Sequence, residues 1–351
     1  MGILWAETAD QYALWDALLM SHEAGNGYLL SWYLAHQQYP RVDVDVAVFE
    51  HQGRAAAGAV LYTFRLPCGT SVCLVPSSPI CQRGQEKSVF QLVKALAERA
   101  ARKRAMLLQF EAFEPRMRDV IRDSLRSYRL GNEAIWKLYH PTQWRELKVE
   151  LSGKTPETLL AGFGGDCRRR IRQGMGESVA VQEVAEESAL DEVHSLWVRS
   201  AADRGYTPRP RDSFVSLVEE VRARQAGALL VSRINGQLAA FVFAIFHGVG
   251  STFVATAYDA AINPGFATHL LQYRAMCMAM ERGCAWYSLG GPGTAGIREY
   301  KSGFRPVLVD NWRFVTAVLH PLRVMLLKGL VGRDRTSWME RLKKWTTFRE
   351  D

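Results

Sequence analysis

The chain predicts an α/β protein made of two copies of one unit, each a mixed β-sheet with helices on its faces. Three observations predict it. Val48 to Phe64 reads as an apolar strand, a turn at Gln52-Gly53, and a second strand opened by Arg54-Ala55-Ala56-Ala57. Val231 to Phe246 repeats the plan, with its turn at Asn235-Gly236 and a second strand opened by Gln237-Leu238-Ala239-Ala240. A helical pattern ends at Glu98-Arg99 and another at Glu281-Arg282, at the offset that separates Gly53 from Gly236, and each runs into an apolar strand (Met106 to Phe110, Trp286 to Leu289). The opening helices also correspond, Leu14-Trp15 with Leu196-Trp197, at an offset one residue shorter. Separate elements in one register indicate a duplication.

Each copy reads helix, helix, two or three antiparallel strands, a long helix, then another strand. A strand meander followed by a helix and a further strand requires a mixed sheet covered by helices. Between the copies, Ile135 to Ser152 is β-like, most clearly from Trp144 to Leu151, and Lys154-Thr155-Pro156-Glu157 is a helix start. The boundary is placed near Glu146, giving a first unit over residues 1–146 and a second over 147–320. From Pro321 the pattern changes: Leu322, Val324, Met325, Leu326, Leu327 and Leu330 alternate with Arg323, Lys328, Arg333 and Arg335, then Trp338 to Trp345 carries Arg341, Lys343 and Lys344. Such a basic amphipathic tail (321–351) could touch an anionic membrane surface. The reading adopted is a terminal helix packed on the first unit.

A length of 351 residues suits two ordinary domains, and 48% apolar with 23% charged residues excludes a disordered or collagen-like chain. The 44 Lys and Arg against 36 Asp and Glu leave a net charge of +8, and a pI near 9.2 points to a polyanionic partner: nucleic acid, a phosphorylated substrate, or an anionic membrane. The six cysteines (Cys68, Cys73, Cys81, Cys167, Cys277, Cys284) form no CxxC pair, so reduced thiols in a cytoplasmic protein are expected, without a disulfide framework or zinc site. Met1 to Glu7 lacks the basic and apolar regions of a signal peptide. No uninterrupted apolar run approaches the ~20 residues that span a bilayer.

Three stretches of the second half carry a family likeness. They are Leu159-Leu160-Ala161-Gly162-Phe163 followed by Arg168-Arg169-Arg170-Ile171-Arg172-Gln173-Gly174, the run Arg204-Gly205-Tyr206-Thr207-Pro208-Arg209-Pro210-Arg211 before Phe214, and Tyr287-Ser288-Leu289-Gly290-Gly291 with Tyr300-Lys301-Ser302-Gly303-Phe304. With these the chain resembles the Fem-type aminoacyltransferases, tandems of two acetyltransferase-like (GNAT) lobes. The third stretch is the most specific. The resemblance implies transfer of an aminoacyl group from aminoacyl-tRNA to an amine, on a peptidoglycan precursor in the familiar members, with no metal or organic cofactor. In the first half Tyr28-Leu29-Leu30-Ser31-Trp32-Tyr33 resembles the family's Gln-Ser and Trp segment, but Leu30 stands where Gln is expected. His36, Gln37 or Gln38 stands where the family has a Lys that helps hold a nucleotide-muramyl peptide. A different amine, such as a peptide-antibiotic intermediate, therefore stays open as acceptor. Val221 to Gly227 leaves no room for the coiled-coil insertion of larger members.

Ester-to-amide exchange is downhill, so the protein has to orient the amine and stabilise an oxyanion. A site without a triad suffices, in keeping with the absence of Gly-x-Ser-x-Gly and the scatter of the eight histidines. Lys301, at the position of the family's motif Lys, is the catalytic candidate that the resemblance implies, a compact ammonium for the oxyanion or the terminal tRNA phosphate. Arg168, Arg169 and Arg172 are candidate phosphate contacts, with a solvated helix as the equal alternative. Arg204, Tyr206, Arg209 and Arg211, held extended by Pro208 and Pro210, are candidates to grip an anionic acceptor. Backbone N–H groups at Gly290 and Gly291 could face an oxyanion, Tyr258 could line the wedge between splayed strands, and Tyr300 and Phe304 flank Lys301.

The rival enzyme reading is an acyl-CoA-dependent N-acyltransferase. Such proteins place Arg/Gln-x-x-Gly-x-Gly/Ala at a helix N-terminus for pyrophosphate, and Ile262-Asn263-Pro264-Gly265-Phe266-Ala267 has the Gly and Ala without the leading Arg or Gln. A non-catalytic RNA- or membrane-surface-binding protein is the lesser alternative, since interleaved exposed aromatics are not evident.

Overall fold

The computed structural model describes residues 2–37, 41–66, 69–77, 79–112, 115–130, 146–176, 179–184, 186–262, 265–309 and 313–325. In the first part the elements are β1 (Gly2–Trp5), α1 (Ala9–Ser21), a 3-10 turn (Gly27–Leu29), α2 (Ser31–Ala35), β2 (Val42–His51), β3 (Arg54–Arg65), β4 (Ser71–Val75), β5 (Ile80–Cys81), α3 (Glu86–Arg102), β6 (Ala105–Ala112), α4 (Pro115–Ser124) and β7 (Arg129–Leu130). There follow β8 (Glu146–Glu150), α5 (Pro156–Gly162), α6 (Gly165–Gly176), β9 (Val179–Glu183), α7 (Glu187–Arg204), α8 (Arg211–Ala223), β10 (Gly227–Ile234), β11 (Gln237–His247), β12 (Gly250–Tyr258), α9 (Phe266–Glu281), β13 (Trp286–Ser288), α10 (Ala295–Ser302), β14 (Val307–Val309) and β15 (Arg313–Val318).

The duplication is visible in topology. One sheet runs β1-β2-β3-β4-β6-β15-β7, with β5 on β3, and the other β14-β8-β13-β12-β11-β10-β9. In each, an antiparallel hairpin (β2–β3, β10–β11) leads to a third strand, and a helix then returns the chain to a parallel partner, β4 with β6 and β12 with β13. The two hairpin turns share their chemistry. Gln52 (φ 52°) with Gly53 (φ 76°), and Asn235 (φ 52°) with Gly236 (φ 79°), put two successive residues in the left-handed region, the turn whose twist matches a hairpin and which favours Asn-Gly.

The chain divides into two compact units, Met1–Pro141 with the return segment that begins at Asn311, and Thr142–Asp310. Here the structure departs from a second unit ending at residue 320: β15 pairs with β6, Val315 opposite Phe110 and Ala317 opposite Leu108, and so belongs to the first sheet. The reason is burial. Ala105 to Phe110 are all buried, and a strand covered on both faces needs a hydrogen-bonded neighbour on its free edge.

The first core gathers α3 (Val89, Leu92, Val93, Leu96) on Leu61, Cys73, Val75, Leu108 and Phe110. Trp15 is fully buried and its indole N–H donates to the Leu29 carbonyl at 2.7 Å. The second core gathers α9 on the sheet through Leu270, Leu271, Met276 and Phe246, with Phe163, Ile171, Tyr287 and Phe304. Cys73, Cys81, Cys167, Cys277 and Cys284 are free and buried, while Cys68 lies outside the described residues, as do Trp144, Arg145, Gln38 and most of the tail. Among the described residues no helix is long and apolar enough to cross a membrane.

Val324, at the head of the tail, is buried against Met106, Leu107 and Val318 of the first unit. Deleting the chain from Arg323 removes this contact, and the expected outcome is a lower melting temperature. A melting curve unchanged by the deletion, together with loss of sedimentation with anionic liposomes, would identify the tail as a membrane contact instead.

Candidate active site

The site follows from how β12 and β13 part. They pair only over Gly250–Thr252 with Trp286–Ser288. Beyond that, β12 continues along β11 to Tyr258, whereas the other chain turns off through Leu289 and Gly290, whose backbone bonds Leu147. The strands splay, and a cleft of about 730 Å³ opens between them.

Four elements line it with recognisable periodicities. From β12 come Phe253 to Thr256 and Tyr258, and from α9 come Thr268, His269 and Gln272 behind Gly265. On α10, Ile297, Tyr300 and Lys301 share one face, and α7 with its exit contributes Trp197, Arg204 and Tyr206. Positions i, i+3 and i+4 of a helix lie side by side, so α9 and α10 each present one stripe to the cleft.

Lys301 is 8% exposed and donates from Nζ to the Gly291 carbonyl at 2.6 Å; its ammonium lies 6.0 Å from the Phe253 ring centroid. Burial lowers its pKa to about 8, because desolvation disfavours the charged form. The loop that supplies the carbonyl is itself held. The Gly290 N–H donates to Ser288 Oγ at 3.0 Å, and that hydroxyl donates to the Glu146 carboxylate at 2.5 Å. Glu146 pairs with Lys148 at 3.3 Å, whose ammonium sits 3.6 Å from the Trp286 ring. Gly290 has φ 70°, a left-handed turn that a side chain would strain.

Phe304 is buried behind Lys301, edge-on to Phe163 at 5.3 Å and to Tyr300 at 5.4 Å. Burial raises the Tyr300 phenol far above its ordinary range, so it stays a neutral hydroxyl. At the mouth, Arg204 lies 4.6 Å from the half-exposed Tyr258 ring and donates to the Ser200 carbonyl at 3.0 Å and to the Ser200 hydroxyl. Gly205 (φ 71°) ends α7 and turns the chain so that the Tyr206 hydroxyl accepts from the Trp197 indole at 3.1 Å.

Of the residues singled out in the sequence, the structure brings Lys301, Tyr300, Tyr258, Arg204 and Tyr206 into one cleft, with Gly290 and Gly291 beside Lys301 and Phe304 beneath it. The remaining arginines do not line it. Arg168 donates to the carbonyls of Ala161 (3.1 Å) and Phe163 (2.6 Å), capping the C-terminal carbonyls of α5. Arg169 and Arg170 pair with Asp166 at 2.5 and 2.7 Å, bonds that lower this carboxyl to about 2. Arg172 is exposed on α6. Arg209 donates to Ser213 Oγ at 2.9 Å, and Arg211 pairs with Asp191 at 2.6 Å. In the first unit Gln37 accepts from the Tyr62 hydroxyl at 2.6 Å, a neutral contact where the family likeness suggests a Lys.

Sequence reasoning missed His269, Trp197, Phe253 and Gln272. A usable signal existed in α9, where Thr268, His269 and Gln272 mark a polar stripe at helical spacing in a mostly apolar helix.

Residues 165–302 match the family described as an acetyltransferase (GNAT) domain. No curated protein matches the chain by sequence. Among solved structures, FemX superposes with a TM-score of 0.78 at 14% identity, over 94% of this chain and 100% of that one. A tandem GNAT protein from the clavulanic acid biosynthesis pathway gives 0.52 at 15% identity, over 90% and 98%. L-PGS from Bacillus licheniformis gives 0.51 at 12%, over 83% and 87%. Residues 165–302 thus carry a GNAT domain, and the fold of the chain is that of the GNAT proteins. Within that class its architecture is the Fem-like tandem of two GNAT lobes.

Proposed function

We propose that the protein is an aminoacyltransferase that moves an aminoacyl group from aminoacyl-tRNA to an amine, forming an amide. The observation that supports this most directly is the buried Lys301 ammonium, held at the wall of a cleft that opens where GNAT strands splay. Acyl transfer builds negative charge on the acyl oxygen, and a cation fixed in a water-poor cleft stabilises that charge without having to reorganise. The aromatic side chains of Trp197, Tyr206, Phe253 and Tyr258 line the cleft and offer faces to an acyl group or a terminal base. The net charge of +8 suits a polyanionic donor. Arg204 at the cleft mouth is proposed as a contact for an anionic part of the substrate. Arg168, Arg169, Arg172, Arg209 and Arg211, each outside the cleft lining, are proposed as an outlying surface for the tRNA or the acceptor. The acceptor remains a peptidoglycan precursor or a peptide intermediate, and the site of action the cytoplasm.

The second reading, an acyl-CoA donor, is favoured by one observation. The long helix α9 starts at Gly265 (φ 93°) beside the cleft, as a pyrophosphate-binding turn would. Charged tRNAs and acyl-CoAs, each supplied with candidate amines and followed by mass spectrometry, separate the two. Transfer from charged tRNA is expected, abolished by RNase and weakened by salt. Transfer that survives RNase and uses acyl-CoA would establish the second reading.

A further inference from the structure

We propose that His269 is the catalytic residue that takes the proton from the attacking amine and returns it to the leaving group. The inference rests on the acyl-transfer reading of the cleft but not on which donor is used.

His269 Nδ1 lies 2.7 Å from the Gly265 carbonyl oxygen. A carbonyl only accepts, so Nδ1 carries the hydrogen, and the neutral ring keeps its lone pair on Nε2. Among the described residues Nε2 has no protein partner, and the ring lines the cleft together with Thr268, Tyr300 and Lys301. Its orientation is fixed by packing as well. Phe304 stacks on it at 5.7 Å and 24°, and Tyr300 meets it edge-on at 4.7 Å. A side chain anchored on three sides, with one basic nitrogen left for the cleft, has the form of a general base.

Its protonation suits the role. Burial holds the imidazole below its ordinary range; the Gly265 carbonyl opposes this, Arg170 of α6 adds to it, and Asp166 of α6 opposes it. On α10 the ring faces the neutral Tyr300 phenol, and the Lys301 and Arg204 cations line the same cleft. His269 is therefore neutral near pH 7, when the Lys301 ammonium is still charged.

The step balances without a co-reactant. The amine nitrogen bonds to the acyl carbon while the carbonyl π electrons move onto oxygen beside Lys301. The nitrogen's surplus proton passes to Nε2. The bond from the acyl carbon to the donor's oxygen (or sulfur) then breaks, its electron pair leaves with that atom, and Nε2–H returns the proton there. An amide, a free hydroxyl or thiol and neutral His269 result.

The test is His269→Asn, whose amide nitrogen can keep the bond to Gly265 while the Nε2 position is lost. With whichever donor the wild type uses, turnover is expected to fall about 10²- to 10⁴-fold. KM should stay within a few-fold, and added imidazole should restore part of the rate. The acidic limb of the wild-type rate profile, set below the ordinary histidine range, should vanish in the variant. Turnover retained within about three-fold, or an acidic limb that persists, overturns the assignment of His269 while leaving acyl transfer intact. A wild type that transfers from neither charged tRNA nor acyl-CoA overturns the acyl-transfer reading and this proposal with it. Independently of the variant's folding, nitrogen NMR of the wild type should show the hydrogen on Nδ1. Finding it on Nε2 would refute the proposal.

Discussion

Replacing Lys301 by Met lowers turnover by about 10²–10³, the usual effect of removing one oxyanion donor, with little change in the melting curve. The substitution keeps the apolar stem packed beside Phe253 and removes only the charge. It also removes the hydrogen bond that the ammonium gives the Gly291 carbonyl. The loop keeps its other tethers, the Gly290 carbonyl to the Leu147 amide and the Ser288 hydroxyl to Glu146, so the fold should survive. The pH dependence gives a second readout. Burial lowers Lys301 to about 8, and the stabilising form is the protonated one. The wild-type rate should therefore be sustained below that pH and fall as pH rises through it. In the Met variant this alkaline limb should disappear. Normal turnover by the variant under saturating donor and acceptor would make Lys301 a structural cation and remove the catalytic assignment.

Phe304→Ala is expected to cost about 3–5 kcal/mol in the stability of the second unit, the range for deleting a buried phenylalanine ring. Phe304 is 1% exposed and joins Phe163 of the α5–α6 connection to Tyr300 of α10 and His269 of α9. The hole would lie inside this junction and could not close without moving backbone. Because the chain has two units, the loss should appear as a separate, earlier transition in calorimetry, leaving the first unit's transition in place. Activity should fall with it, since His269 loses its stacking partner. Phe304→Leu, which fills more of the space, should recover much of both. A single transition at the wild-type temperature in the Ala variant would show that the ring is not an organising contact.

Several features were legible in the residues because they are local. Two hairpin turns that need successive left-handed residues reveal themselves as Gln52-Gly53 and Asn235-Gly236, and their equal spacing with Glu98-Arg99 and Glu281-Arg282 exposes the duplication. Lys301 stood out because Tyr300-Lys301-Ser302-Gly303-Phe304 resembles the family's aromatic-Lys-x-x-Phe ending, and in the structure Tyr300 and Lys301 line the same cleft. The arginines were a different matter. Arg204 reaches the cleft because α7 ends there, whereas Arg168 turns back to cap α5 and Arg211 finds Asp191 on α7. Identical side chains at short spacings therefore do unlike things. A cationic run in a sequence carries no record of which carbonyls and carboxylates will meet it.

What the sequence by itself determined is the repeated α/β unit and, in each copy, the central order of two helices, a strand meander, a long helix and a further strand, without β1, α4, β9, α10 or β14. Periodicity and turn chemistry depend only on near neighbours. The tertiary structure alone decided that residues 313–318 return to the first sheet, that the parting of β12 from β13 opens the cleft, and that His269 stands in it with one nitrogen tied to Gly265 and the other free of any described protein partner. Each of these depends on residues far apart in the chain meeting across a sheet edge or a helix face. Burial and hydrogen-bond satisfaction over the whole unit select such meetings, and no local pattern encodes them.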